Sequence, residues 1–248
     1  MWRLTLQISV ASMVVLVCGG QCVLAQGGAA PGASSGGAGL SPEALAELRE
    51  VPPPMAFRET WKQPPYAGRL TDPKRRVTQE AVSNPNLQLQ LYGPDAQDVE
   101  VYDHYGQHDL WTGLVPSPVA VTLRDRHAYF DLTGLAALRA RTRTEDLHVL
   151  HPVVRLADGT LLVGSQTLSS PQPLLGGGDF MVSEVTFNAQ RWFELDPKTI
   201  VIRRELKDPD LSRVDAIGFV DLMPSGGHGF SGCSNISWME LYANTHPR

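Results

Sequence analysis

Two stretches of this chain combine side chains that can do chemistry. The first is Asp103-His104-Tyr105-Gly106-Gln107-His108-Asp109-Leu110-Trp111. The second is Pro224-Ser225-Gly226-Gly227-His228-Gly229-Phe230-Ser231-Gly232-Cys233. The imidazoles of His104 and His108 between two aspartates suggest a metal cluster. A histidine pair spaced by four is a zinc signal only on a helix that also carries a glutamate. Here Gly106 interrupts the run and no glutamate intervenes, so solvated loop residues are the better reading. Gly229-Phe230-Ser231-Gly232-Cys233 approaches a nucleophile elbow but has Cys233 where the last glycine should stand. It also leads into a strand, whereas the elbow leads into a helix. Cys233 as a catalytic thiol would need a nearby base; inert packing is the commoner role of a lone cysteine.

Neither stretch specifies a reaction, but both suit ligand binding. His104, Tyr105, His108 and Trp111 in one loop and His228, Phe230 and Ser231 in the other are the candidate ligand-binding residues, expected to converge at one end of the fold. Concave sites with a few convergent polar groups are the default places for ligands. Trp111 is the expected stacking platform for a sugar. Trp192 and Trp238 sit in apolar alternating runs and are expected in the core.

The elements that must position these loops read as β-strands. Leu87-Gln88-Leu89-Gln90-Leu91 alternates strictly, with glutamines toward water. Val77–Val82 and Val99–Tyr102 are further candidates. Val119–Leu123 and Ala128–Leu132 read as one hairpin, and Val149–Leu156 with Thr160–Ser165 as another around Ala157-Asp158-Gly159. Pro152 marks an edge strand or a bulge. Leu135–Thr142 has helical propensity but lies among hairpins and is read as a strand. Phe180–Phe187, Arg191–Leu195, Val214–Val220 and Ile236–Tyr242 complete the set. In the last, Ile236, Trp238, Glu240 and Tyr242 are expected on one side and Ser237, Met239 and Leu241 on the other. Many short strands without a sustained helix indicate an all-β, two-sheet antiparallel β-sandwich.

The flanks are different. Arg3, the apolar run Leu4–Val17 and Val23-Leu24-Ala25 form a signal peptide, expected to be cleaved after Ala25. A lipid anchor at Cys18 or Cys22 is the rival, against which stand Val17 and Gln21 in place of small residues. Residues 26–54 are a Gly/Ala/Pro linker carrying a short N-terminal helix from Ser41, so the sandwich is expected over residues 55–243. After cleavage Cys233 is the only cysteine, which excludes an internal disulfide. A net charge of −5 at 248 residues disfavours nucleic acid and anionic membrane surfaces.

Three pieces carry a family resemblance. They are Tyr129-Phe130-Asp131-Leu132-Thr133-Gly134-Leu135 with Arg139 and Arg141, Arg191-Trp192-Phe193-Glu194-Leu195, and Asp210–Phe219 closing with Trp238–Tyr242. In this order they resemble the galactose-binding-like jelly-roll superfamily, which includes carbohydrate-binding modules and the complex I intermediate-associated domain. Asp221-Leu222-Met223-Pro224 with Gly227-His228-Gly229 resembles uncharacterised secreted bacterial proteins. The resemblance implies a jelly roll that binds glycans without catalysis and, in many members, a structural calcium ion. Glu240 on the last strand is then the candidate metal ligand, and no other cofactor is implied. The sequence thus describes a secreted or periplasmic, monomeric binder of a glycan or other extracellular ligand. A polysaccharide hydrolase or lyase is the alternative, although no carboxylate pair is placed for it. A structural or assembly partner is the third reading.

Overall fold

The computed structural model describes residues 51–62, 75–104, 107–113, 115–145, 147–168, 179–224 and 232–248. Fifteen strands occur among them, all paired antiparallel in two sheets. A six-stranded sheet runs β10 (Met181–Thr186), β7 (Ala137–Thr144), β14 (Ser234–Tyr242), β4 (Gln107–Trp111), β3 (Glu100–His104), with β1 (Met55–Glu59) also on β14. A nine-stranded sheet runs β12 (Ile202–Leu206), β11 (Trp192–Leu195), β9 (Leu161–Gly164), β8 (Leu150–Leu156), β13 (Val214–Asp221), β5 (Val119–Asp125), β2 (Leu87–Tyr92). Beside it, β6 (Ala128–Asp131) bridges β13 and β15 (Asn244–Pro247). The chain is a two-sheet β-sandwich, as its alternating runs indicate. The described residues, from 51 to 248, belong to one compact unit. The expected signal peptide, linker and N-terminal helix, up to residue 50, lie outside the described residues.

One apolar core fills the space between the sheets. Leu138 and Ala140 of β7 and Met239 and Leu241 of β14 face Leu123, Val154, Ile217 and Phe219 of the other sheet. A smaller cluster, Ala120, Val153, Val163 and Val220 under Leu195 and Ile200, covers part of the opposite face of the nine-stranded sheet. Gly218 belongs to the close contact of β13 with β5. A Cβ there would stand 1.9 Å from the Val121 carbonyl oxygen, so no side chain fits.

Several expectations need correction. Val77–Val82 is no strand. Thr78 caps a 3-10 turn at Gln79–Ala81, while Val77, Ala81 and Val82 enter the core. Phe57 and Trp61 are buried, and Met55–Glu59, in the stretch expected as a linker boundary, is a full strand on β14. β5 and β6 do not pair as a hairpin, because both find partners on β13. Pro152 sits within β8, between β9 and β13, opposite Phe219. The β9 ladder begins only at Val153, so the missing N–H falls where β9 does not pair. A register shift between Ile236 and Trp238 changes the phase of β14. Ile236 therefore joins Met239 and Leu241 in the core, and Trp238 is left half-buried on the outer face with Arg58 5.1 Å from its ring.

Candidate functional site

The stretch Asp103–Trp111, expected as a loop, is a β-hairpin, with His104 paired to Gln107 at its tip. Tyr105 lies outside the described residues, as do His228, Phe230 and Ser231. His108 is half-buried on β4, and its Nδ1 has no hydrogen-bond partner among the described residues. Trp111 is 2% exposed and is not available to stack on a sugar. Its ring lies 5.5 Å from Tyr102, and a Cβ at Gly113 would fall 2.0 Å from it. That glycine therefore lets the chain fold over the indole. The hairpin ladder has five pairs, so its tip is about 14 Å from Trp111. Beside Trp111, Thr112 N–H donates to the Ser234 carbonyl at 3.0 Å. Residues 225–231 lie outside the described residues, and so does the expected convergence of the two stretches.

Glu240 serves as a counter-ion. Arg58 lies 2.7 Å from Oε1, Arg139 lies 3.6 Å from Oε2, and the Tyr242 hydroxyl donates to Oε2 at 3.1 Å. A calcium ion here would stand among guanidinium groups, and no cluster of three metal-ligating side chains occurs among the described residues.

Where β13 ends and β14 begins, the two sheets are joined by a buried polar clasp. Asp221 Oδ2 accepts from Ser234 Oγ at 2.8 Å and Thr112 Oγ1 at 3.3 Å, and His148 Nδ1 lies 2.7 Å away. Oδ1 accepts from Met223 N–H at 3.1 Å. Asp221, Ser234, Thr112 and His148 are all 0% exposed. An aspartate with so many donors is satisfied as a carboxylate, which makes Nδ1 of His148 the protonated nitrogen. Its Nε2 has no partner among the described residues. The serine here bonds the aspartate and not the histidine, so this is not a nucleophile–base pair.

On the outer face of the same strand, Asn235 Nδ2 donates to Asp109 Oδ2. Burial raises the Asp109 carboxyl to about 7, against the opposing effects of Asn235 and Arg143. Burial likewise pushes the Cys233 thiol up to about 12, far from the thiolate a nucleophile requires.

An open concavity lies elsewhere, at the β11–β12 edge. It is a cleft of about 340 Å³, within the size range of small-ligand sites. Phe187 and Trp192 line it with stacked rings, centroids 6.4 Å apart and planes at 17°. Its rim carries Asn188, Gln190, Arg191 and Glu205. Arg191 grips Glu205 through two bonds of 2.9 Å, which lower the carboxylate's pKa and fix both groups in a plane. Gln190 is held by the Gln166 side chain at 3.2 Å and by Gln166 N–H at 2.9 Å. Asp208, also on the rim, has φ 47°. A non-glycine residue in the left-handed region is a form of local strain found preferentially at functional sites. Sequence reasoning missed this cleft because Asn188, Gln190 and Glu205 belong to short polar segments. Only Trp192 stood out, and it was rightly placed in the core.

No family model matches the chain, and no curated protein matches it. Among solved structures, the family 11 carbohydrate-binding module of a cellulosomal cellulase from Clostridium thermocellum is similar at TM-score 0.37 and 9% identity. That match covers 65% of this chain and 85% of the module. PfGH50B matches at TM-score 0.37 and 11% identity over 65% of this chain, which spans only 23% of that protein. The Emp47p carbohydrate recognition domain matches at TM-score 0.32 and 10% identity, over 65% of this chain and 90% of that domain.

Proposed function

We propose that this protein is a secreted, non-catalytic β-sandwich that binds a carbohydrate in the cleft at the β11–β12 edge. The observation that carries this reading is the composition of the cleft rim: planar amide, guanidinium and carboxylate groups, already held by partners, above a buried aromatic pair. Planar polar groups with spare donors and acceptors match vicinal hydroxyls, while Phe187 and Trp192, 1% and 3% exposed, form a rigid buried floor beneath them. Groups held in place before the ligand arrives also lower the entropy cost of binding. The protein acts by holding its ligand, with the N-terminal segment directing export.

A glycan array and a reducing-sugar release assay on one purified sample test this. Saccharide binding without release is expected, weakened about tenfold by Asn188→Ala or Glu205→Ala. Release of reducing ends would establish an enzyme instead. Binding untouched by both substitutions would remove the cleft from the account.

A further inference from the structure

A second feature lies on the outer face of the nine-stranded sheet. The ladder of β13 shifts register between Val214 and Ala216. Such a bulge re-aims a side chain. Here it turns Asp215 to the face shared by Arg124 and Arg155, the cross-strand partners of Ala216 on either side. Three guanidiniums then converge on one carboxylate. Arg124 Nε donates at 3.1 Å, Arg155 Nη1 at 2.6 Å and Arg248 Nη1 at 2.6 Å. Asp215 is 7% exposed at its side chain, whereas Arg124 and Arg155 keep 33% and 34% of theirs in solvent.

Asp215 alone does not neutralise three guanidiniums, although Asp158 also lies within electrostatic reach of Arg155, and Asp215 does not use all their donors. Among the described residues, Arg124 Nη2 and both Nε and Nη2 of Arg155 have no acceptor. Arg213 stands nearby over the Tyr129 ring at 4.8 Å, with Arg248 on the same ring at 4.3 Å. Next along the face, about 7 Å away by strand rise, is a neutral polar row. Thr122 and Tyr92 both donate to Gln90 Oε1, at 3.4 Å and 2.8 Å, which leaves the Gln90 amide NH2 unspent. Gln88 accepts from Arg124 at 3.3 Å and likewise keeps its NH2. Charged forks beside neutral amides are the pattern expected for a ligand bearing a carboxylate next to hydroxyl groups. A bidentate guanidinium is the side chain best matched to such a carboxylate.

We infer that this face is a second binding site, for the carboxylate of an acidic saccharide, with Arg124 and Arg155 as its anion-binding residues. The inference rests on the reading of the protein as a saccharide binder but uses different residues from the cleft.

Titration calorimetry with oligogalacturonate, a neutral oligosaccharide and sodium sulfate separates the possibilities. The expected result is oligogalacturonate binding that weakens with salt. It should fall at least tenfold in Arg155→Gln and in Arg124→Gln, and recover in part in Arg155→Lys. The lysine variant keeps the charge and serves if a glutamine variant does not fold. Neutral saccharide binding without oligogalacturonate binding overturns this inference and leaves the cleft reading intact. Oligogalacturonate binding lost in Glu205→Ala but kept in both glutamine variants also overturns it, as does sulfate binding of equal strength through the same arginines. Failure of every saccharide to bind overturns both readings.

Discussion

Asp109→Asn should stabilise the protein by an amount that grows from nothing near pH 4 to its full value above pH 7. Asp109 is 0% exposed on β4, its Oδ2 bonded by Asn235 and its Oδ1 without a partner among the described residues. Burial raises its pKa from 3.8 to about 7, with Arg143 and Arg141 opposing the shift and Asp103 adding to it. Below pH 4 the carboxyl is protonated in both folded and unfolded chains and costs nothing. Between about 4 and 7 the folded chain keeps a proton the unfolded chain has lost, so stability falls by about 1.4 kcal/mol per pH unit. Above 7 the folded state carries the full cost, about 4 kcal/mol for a shift of roughly three units. Asparagine has the shape of the protonated acid and no charge to bury. Urea unfolding of both proteins at pH 4.0 and 8.5 reads the effect directly. The variant should match wild type within about 1 kcal/mol at pH 4.0 and exceed it by about 2–4 kcal/mol at pH 8.5. An equal change at both pH values, or a loss at 8.5, would refute the argument.

Three further outcomes are expected. Glu59, 0% exposed, accepts from Trp61 N–H, Ser83 N–H, Ser83 Oγ and Asn84 N–H at 2.6–3.0 Å. Glu59→Gln turns an amide toward those donors and should cost about 3 kcal/mol in chemical denaturation; a cost under 1 would mean the loop re-forms around it. Trp111→Ala should cost about 3–5 kcal/mol of stability and leave the affinity of folded protein for its saccharide unchanged, as measured by calorimetry below the melting temperature. Cys233 makes no disulfide and is buried with its thiol raised to about 12. Melting should therefore be indifferent to reductant, and a thiol reagent at pH 8 should label Cys233 only on unfolding.

The parts of the fold legible in the sequence are those where alternation was apolar and uninterrupted. β2 and the β8–β9 hairpin follow directly from Leu87–Leu91 and the Asp158-Gly159 turn, whereas β7 follows only from its hairpin neighbours, against the helical propensity of the run after Leu135. β12 and β15 were not legible, because Ile202-Arg203-Arg204-Glu205-Leu206 and Asn244–Pro247 are exposed strands without an apolar rhythm. The hairpin at Asp103–Trp111 was hidden for another reason. Its outer face packs polar groups such as Asp109 under cover, and buried polar residues read as solvated ones. Two register shifts were beyond any period rule, and each decides a side chain's fate. One sends Ile236 into the core, and the other turns Asp215 outward among arginines. Convergence of Arg124, Arg155 and Arg248 depends on three separate ladders and has no local signature.

The clasp at Asp221 also bears on how this molecule tolerates change. The Asp221 and Ser234 side chains meet at 2.8 Å, so the ends of the intervening segment are fixed by the sandwich itself. Closing a chain between fixed ends costs entropy that grows only with the logarithm of its length, about 0.6 kcal/mol per doubling. Residues could be inserted between these two anchors at a cost smaller than that of losing one buried methylene group. The sheets would keep their register while the segment explored new sequence. The clasp thus makes this connection a graft point, where a different recognition loop could be installed on an unchanged frame.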